Sequence, residues 1–298
     1  MSSLPLRARA ELALVAVTFI WGWSFVIVKN VLGLLPPFVF LSLRFGLAAI
    51  VLVILFRGRF ANQAHLWRPT LRAGGFAGLC LFAGYVFQTT GLRYTSPSKS
   101  AFITGLTMAV VPFLVSIVYR KAPHSSEVMG VAVATLGLGL LTLPPDRLRI
   151  SFGDLLTLCC TFGFACHILV LGHWASRAAW ELLSLTQIAV TGVLSLIAAS
   201  FTEAVRIPWN REVIGAVLFT GVLATAIPFS VQSWAQRHTT PMRAALIFAL
   251  EPVWASLASY VLTGELLTGR ALAGAVLILA GVLLVELKPW GRVQHPLA

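Results

Sequence analysis

Read from its amino terminus, the chain is a succession of long apolar runs punctuated by scattered charges. Uncharged intervals lie at 73–92, 100–119, 128–145, 155–176, 182–202 and 213–236. Each reaches or exceeds the ~18 residues that cross a bilayer as a helix. Four further runs are shorter or interrupted: 12–28, about 36–56 around Arg44, about 244–263 around Glu251, and 271–286. The pattern predicts an all-α, polytopic membrane protein with ten transmembrane helices. At ~20 residues each, those helices leave only short loops and no room for a soluble domain.

Composition agrees with the pattern. Apolar residues make up 58% of the 298 and charged residues 11%, against roughly 25% charge in soluble proteins. So few charges cannot cover a water-facing surface, and most of the outside must meet lipid. The net charge of +12 is dispersed singly between apolar runs, so no basic stripe points to a nucleic-acid partner. Cys80, Cys159, Cys160 and Cys166 fall inside apolar runs without metal-site spacing and read as buried thiols. The first span runs from Arg7 and Arg9 into Trp21-Gly22-Trp23 without a small-x-small cleavage site, so it reads as retained. With the amino terminus inside, 13 Lys and Arg fall on the cytoplasmic side and 8 on the other, which places both termini in the cytoplasm. The bias comes from the first half, 8 against 3; the second half is balanced, 5 against 5.

The chain also matches itself. At an offset of 144, Gln88 falls on Gln232, Arg93 on Arg237, Thr95 on Thr239, Pro97 on Pro241, Lys99 on Arg243, Gly130 on Gly274 and Gly137 on Gly281. At 143, Thr18-Phe19 falls on Thr161-Phe162, and Leu43-Arg44 on Thr186-Gln187. The expected organisation is two five-helix repeats, 1–145 and 146–298. Five is odd, so the second repeat must be inverted relative to the first. Inverted repeats around a shared central site are a structural basis of alternating access in secondary transporters.

The residues that carry the repeat also carry a family resemblance. Thr240-Pro241, Ala244-Ala245, Leu250-Glu251-Pro252, Gly264-Glu265-Leu266-Leu267-Thr268 and Gly274 through Gly281 are joined in the first half by Trp21-Gly22 with Phe25, Leu43-Arg44-Phe45 with Ala48-Ala49, and Pro112 with Gly130 and Gly137. Over residues 12 to 286 the chain resembles the drug/metabolite transporter superfamily, specifically its EamA family. Met108 stands where the second half has Pro252, and Lys121 where it has Glu265, so the halves are not equivalent. The resemblance implies export of amino acids, related metabolites or drugs across the inner membrane through a central cavity. Length and aromatic content are similar to those of the YddG-type aromatic amino acid exporters.

Several side chains are candidates for the work. Thr95-Ser96-Pro97-Ser98-Lys99 and Thr239-Thr240-Pro241-Met242-Arg243 each read as a helix start with a hydroxyl cap, a first-turn proline and a cation. Such an end suits a carboxylate, so Lys99 and Arg243 are either substrate contacts or interfacial anchors. Glu251 lies eight residues beyond Arg243, or ~12 Å along a helix. At that depth it can bind an ammonium, carry a proton or bond a neighbouring helix. Arg44 is equally deep and reads as packing or pairing. His167, Gln88, Gln187 and Gln232 are interhelical bonds or substrate contacts. His167 falls opposite Ser24 in the repeat, and both lie on helices that line the cavity in the family. Among the aromatics of the candidate helices, Trp21, Tyr85, Phe164, Phe248 and Trp254 are the expected substrate contacts. Gly130 and Gly137, with Gly274 and Gly281, share a helix face and predict close contact between the fifth and tenth spans. Trp67, Trp209 and Trp290 read as interface anchors.

The reading is a carrier for small amphipathic molecules, with lipid as its surroundings and protons as candidate coupling ions. No cofactor, metal or obligate protein partner is indicated. A phosphate-binding Gly-rich loop ending in Lys-Ser/Thr is absent from the sequence. A polytopic membrane enzyme is the competing class, which would need clustered carboxylates or histidines at a membrane surface. The acidic residues are dispersed instead.

Overall fold

A computed structural model describes residues 5–60, 65–120, 122–142, 150–204, 206–264 and 268–286. The last residues of the fifth expected span (143–145), Lys121, the motif residues Glu265 to Leu267, and Trp290 lie outside them.

The described residues form helices and connecting turns, with no strand among them. In chain order they are α1 (Leu6–Val31), α2 (Pro37–Phe60), α3 (Trp67–Tyr94), α4 (Pro97–Gly105), α5 (Thr107–Tyr119), α6 (Ser125–Thr142), α7 (Phe152–Trp174), α8 (Trp180–Thr202), α9 (Arg211–Leu218), α10 (Ile227–Ala235), α11 (Pro241–Phe248), α12 (Glu251–Thr263) and α13 (Gly269–Glu286). A π-helical stretch, Phe219–Ala226, joins α9 to α10. These pieces make the ten expected spans. Eight runs are long and apolar enough to cross a bilayer, and Ser125–Leu141 and Gly269–Val285 are shorter apolar helices. Several helices extend past the uncharged intervals, as α3 does through Arg68 and Arg72. Long basic side chains tolerate this because their charged ends reach the interface while their stems stay apolar.

Three spans are broken near their middles. The fourth divides into α4 and α5 around Leu106, the ninth into α11 and α12 around Ala249 and Leu250, and the eighth passes through the π stretch. Leu106 and Leu250 are repeat equivalents, so the same break occurs once in each half. The far ends also correspond: Arg120 (φ 51°) ends α5 and Gly264 (φ 72°) ends α12, both in left-handed conformation.

The inversion is visible in two equivalent acids, Glu11 near the start of α1 and Asp154 in the first turn of α7. Lys29, at the far end of α1, donates to the carbonyls of Leu92 and Thr95, each at 2.9 Å. Thr95 in turn donates to Asp154 Oδ1 at 2.5 Å. Asp154 thus shares an end of the molecule with Lys29, while Glu11 lies 18 residues back along α1, about 27 Å away at helical rise. Each repeat starts on the opposite face from the other.

Packing follows the same two-fold relation. α2 lies against its counterpart α8, and α6 against its counterpart α13, while α3 lies against α7 and α8. A Cβ on Gly137 would come 2.6 Å from the carbonyl oxygen of Gly274, and one on Gly274 2.5 Å from that of Gly137. Gly130 and Gly281 oppose each other in the same reciprocal way, at 2.8 and 2.6 Å. The predicted contact between the fifth and tenth spans is therefore present, backbone against backbone.

Large apolar side chains cover the outside, including Ile54, Phe113, Leu136, Phe201 and Val276, each more than half exposed. In a polytopic membrane protein these face lipid. Of the four cysteines only Cys160 is buried; Cys159 is exposed on this apolar surface, and Cys80 and Cys166 are half-buried. The expectation of four buried thiols fails because an outward helix face in lipid is as apolar as a core, so sequence cannot separate the two. Trp67 and Trp209 are exposed near span ends, as expected of interface anchors.

Candidate functional site

The mid-span breaks converge on one chamber. Thr104, Gly105 and Thr107 from the α4–α5 break, and Ala245, Phe248 and Glu251 from the α11–α12 break, contribute to its wall. Irregular backbone at membrane depth is tolerated where it is buried in protein or lines a cavity. α1, α2, α3, α7 and α10 complete the wall with Trp21, Ser24, Arg44, Tyr85, Gln88, Phe164, His167, Phe229 and Gln232. The chamber leaves about 70 Å³ for the centres of water-sized molecules.

One wall is built around Arg44, which is 2% exposed. Its Nε donates to Thr225 Oγ1 at 2.6 Å, and its Nη2 donates to the Ala224 carbonyl at 3.1 Å and the Tyr85 hydroxyl at 3.2 Å. Its guanidinium carbon also lies 4.7 Å from the centre of the Tyr85 ring, within cation–π range. Ala224 and Thr225 belong to the π stretch, and the Ala224 carbonyl also accepts from Trp21 Nε1 at 3.0 Å. The π stretch therefore carries bonds that hold the chamber wall, and π segments are frequent at functional sites. Among the described residues no carboxylate lies within 4 Å of Arg44 and its Nη1 has no hydrogen-bond partner.

The other polar groups of the wall are oriented by neighbours. Gln187 Nε2 donates to Ser233 Oγ at 3.0 Å, so its Oε1 is left to accept from His167 Nε2 at 2.6 Å. This bond assigns the His167 proton to Nε2 and leaves Nδ1 an acceptor. Gln232 Nε2 donates to Gln236 Oε1 at 3.0 Å, leaving Gln232 Oε1 buried without a partner. Thr107 Oγ1 is likewise buried and unpartnered. Glu251, at the start of α12, is half-buried and opens on the chamber. Among the described residues its carboxylate has no hydrogen-bond or ion-pair partner.

Aromatic rings fill the space between. Trp21 packs on Phe248 and Phe229 at centroid distances of 5.2 and 5.4 Å, and Tyr85 on Phe164 at 5.2 Å. Gly22 behind Trp21 lets α1 approach α12: a Cβ there would lie 2.8 Å from the Glu251 carbonyl oxygen. Among the described residues no group of three or more His, Cys, Asp or Glu side chains is placed to hold a metal ion.

Of the sequence-derived candidates, Trp21, Ser24, Tyr85, Gln88, Phe164, His167, Gln232, Phe248 and Glu251 lie in the chamber wall. Lys99, Arg243 and Trp254 do not. The expected helix starts are present, with Ser96 and Thr240 accepting from the Lys99 and Arg243 amides and Pro97 and Pro241 in the first turn. Their cations, however, already have carboxylates. Lys99 Nζ lies 3.0 Å from Asp154 Oδ2, and Arg243 Nη1 lies 3.4 Å from Glu11 Oε1. Thr239 donates to Glu11 at 3.0 Å as Thr95 does to Asp154. These are two symmetry-related clasps, one at each end of the molecule. The sequence signal was available, because Glu11 and Asp154 are equivalent at an offset of 143. Trp254 turns away to donate to Thr18 Oγ1 at 3.1 Å and packs on Phe19. Gln187 stands behind His167. Arg44, read as packing or pairing, is bonded to its neighbours and also lines the chamber, as do Thr104, Thr107 and Phe229.

A sequence model described as the EamA-like transporter family matches residues 8–143 and again residues 151–287. The chain belongs to this family. An uncharacterized transporter of Archaeoglobus fulgidus is 32% identical to this EamA-family chain over 282 residues, covering 95% of it and 87% of the relative. A protein of Salmonella typhimurium named "Probable amino-acid metabolite efflux pump" is 26% identical over 290 residues, covering 93% and 94%. Its namesake in Escherichia coli is 24% identical over 290 residues, covering 93% and 94%. Among solved structures, one crystal structure superposes with a TM-score of 0.77 at 18% identity, covering 94% of this chain and 98% of that one. It shares the fold of this EamA-family protein.

Proposed function

We propose that this membrane transporter is a secondary carrier that exports amino acids or closely related amphipathic metabolites from the cell, by alternating access through the central chamber. The observation that carries the reading is the chamber itself, where mid-span breaks from both repeats meet and polar groups without protein partners are gathered among aromatic rings. The names of the Salmonella and Escherichia relatives support the same substrate class. We place the protein in the inner, or plasma, membrane with both termini in the cytoplasm, following the excess of basic residues on that side. Carriage rather than catalysis accounts for the dispersed acidic groups.

The test is counterflow in proteoliposomes holding the purified full-length protein, with labelled leucine, phenylalanine, a nucleotide sugar and a lipophilic cation run in parallel, with and without a pH gradient. Saturable, stereoselective exchange of amino acids is expected. Exchange of only the sugar nucleotide or the cation would replace the substrate class, and no exchange of any would remove the carrier reading. A pH-gradient dependence lost in Glu251→Gln would assign the proton to Glu251; an unchanged gradient response would remove that role.

A further inference from the structure

An ionisable group at membrane depth is costly unless it is paired, and the chamber holds two, buried Arg44 and half-buried Glu251, that are not paired with each other. Arg44 is fixed by Thr225, Tyr85 and Ala224, all uncharged, and retains an unused Nη1. Glu251 faces the same space with no bonded partner among the described residues. Two further oxygens without hydrogen-bond partners, Gln232 Oε1 and Thr107 Oγ1, belong to residues of the same wall. The polar demand of the chamber is therefore divided: a donor on α2 needs an acceptor, and a group of oxygens on α10, α5 and α12 needs a donor.

Resting on the amino-acid reading above, we propose that Arg44 and Glu251 are the two poles of a zwitterion site. Arg44 takes the substrate α-carboxylate through Nη1, and Glu251 with Gln232 Oε1 takes the α-ammonium. No bond forms or breaks; one molecule supplies both missing partners. Arg44 is well suited to this because its other nitrogens are already held, so it is pre-organised and loses little freedom on binding. A monopolar solute satisfies one pole and leaves the other buried and unpaired, so the arrangement selects by exclusion as well as by contact. Lys99 and Arg243 take no part, being engaged by Asp154 and Glu11.

The experiment is competition for labelled leucine bound to the detergent-solubilised full-length protein, with phenylalanine as a second label. Unlabelled leucine, leucine methyl ester, N-acetyl-leucine and isoamylamine are the competitors. The ester and the amine lack the carboxylate, and the N-acetyl compound lacks the ammonium. Each is expected to compete at least about tenfold more weakly than leucine, the order of effect of losing a charge-assisted hydrogen bond. Arg44→Gln is expected to lower leucine affinity about tenfold or more while leaving the ester unchanged, and Glu251→Gln to do the same relative to N-acetyl-leucine. Competition by the ester or N-acetyl compound as strong as that by leucine overturns the proposal on the wild-type protein alone, whether or not the variants fold. Loss of affinity for every competitor in parallel in both folded variants overturns it as well. Failure of any amino acid to bind removes the substrate reading beneath it, a result distinct from binding that ignores the end groups.

Discussion

His167, Gln187 and Ser233 show how the bilayer interior treats a single polar side chain. Each spends its donors and acceptors on the next, which positions His167 in the chamber wall with its proton on Nε2. Gln187→Leu is expected to destabilise the protein by about 1–3 kcal/mol, because two buried partners lose their bonds at once. Thermal unfolding in detergent measures it, and a change within error would mean that water takes over the bonds. The polar residues of the chamber were legible as a class, since a Gln or Glu inside an apolar run is conspicuous. Their directions were not. Nothing in spacing distinguishes Trp21, which reaches Ala224 and the chamber, from Trp254, which reaches Thr18 outside it. Arg44 was equally conspicuous, but that no carboxylate among the described residues lies within 4 Å of it is something only packing reveals.

The elements divide into tight contacts and broken ones. The α6–α13 contact depends on absent side chains, so Gly137→Val is expected to cost about 1–3 kcal/mol or more through forced separation of two backbones. Gly75→Ala is a useful control, because its added methyl would meet open space; an unfolding temperature at or above that of the wild type is expected. Equal losses in the two would refute the close-contact account. The clasps permit a second comparison. Lys99→Gln and Arg243→Gln are expected to lower the transport rate by loosening α4 from α7 and α11 from α1, yet to change leucine affinity less than Arg44→Gln does. A larger affinity loss at Lys99 or Arg243 would return the carboxylate contact to those positions. The helix starts at Pro97 and Pro241 were readable because hydroxyl, proline and cation sit in a fixed local order. The π stretch was not, since Phe219–Ala226 carries no residue that dictates its winding.

For the molecule as a whole, the odd repeat was the most informative feature of the sequence. Five spans per repeat require inversion, and Glu11 and Asp154 lie at opposite ends accordingly. Reporter fusions at the two chain ends are expected to give the same cytoplasmic signal, and cysteines replacing Ser98 and Thr240, both beside the clasps, to be labelled from opposite sides. Labelling of both from one side would contradict the inversion. The chamber volume, and the share of Thr104, Thr107 and Phe229 in its lining, were beyond the reach of sequence, because they depend on how helices far apart in the chain meet.

Under the zwitterion proposal, one guanidinium and one carboxylate that face the same chamber without pairing have an energetic consequence for flux. A cargo that matches both brings no net charge, and the electrical field, worth about 2.3 kcal/mol per elementary charge per 100 mV, does no work on it. An imposed potassium diffusion potential is therefore expected to leave leucine exchange unchanged, which voltage-clamped vesicles can measure. On the zwitterion reading, the membrane potential neither drives nor opposes passage of the cargo itself.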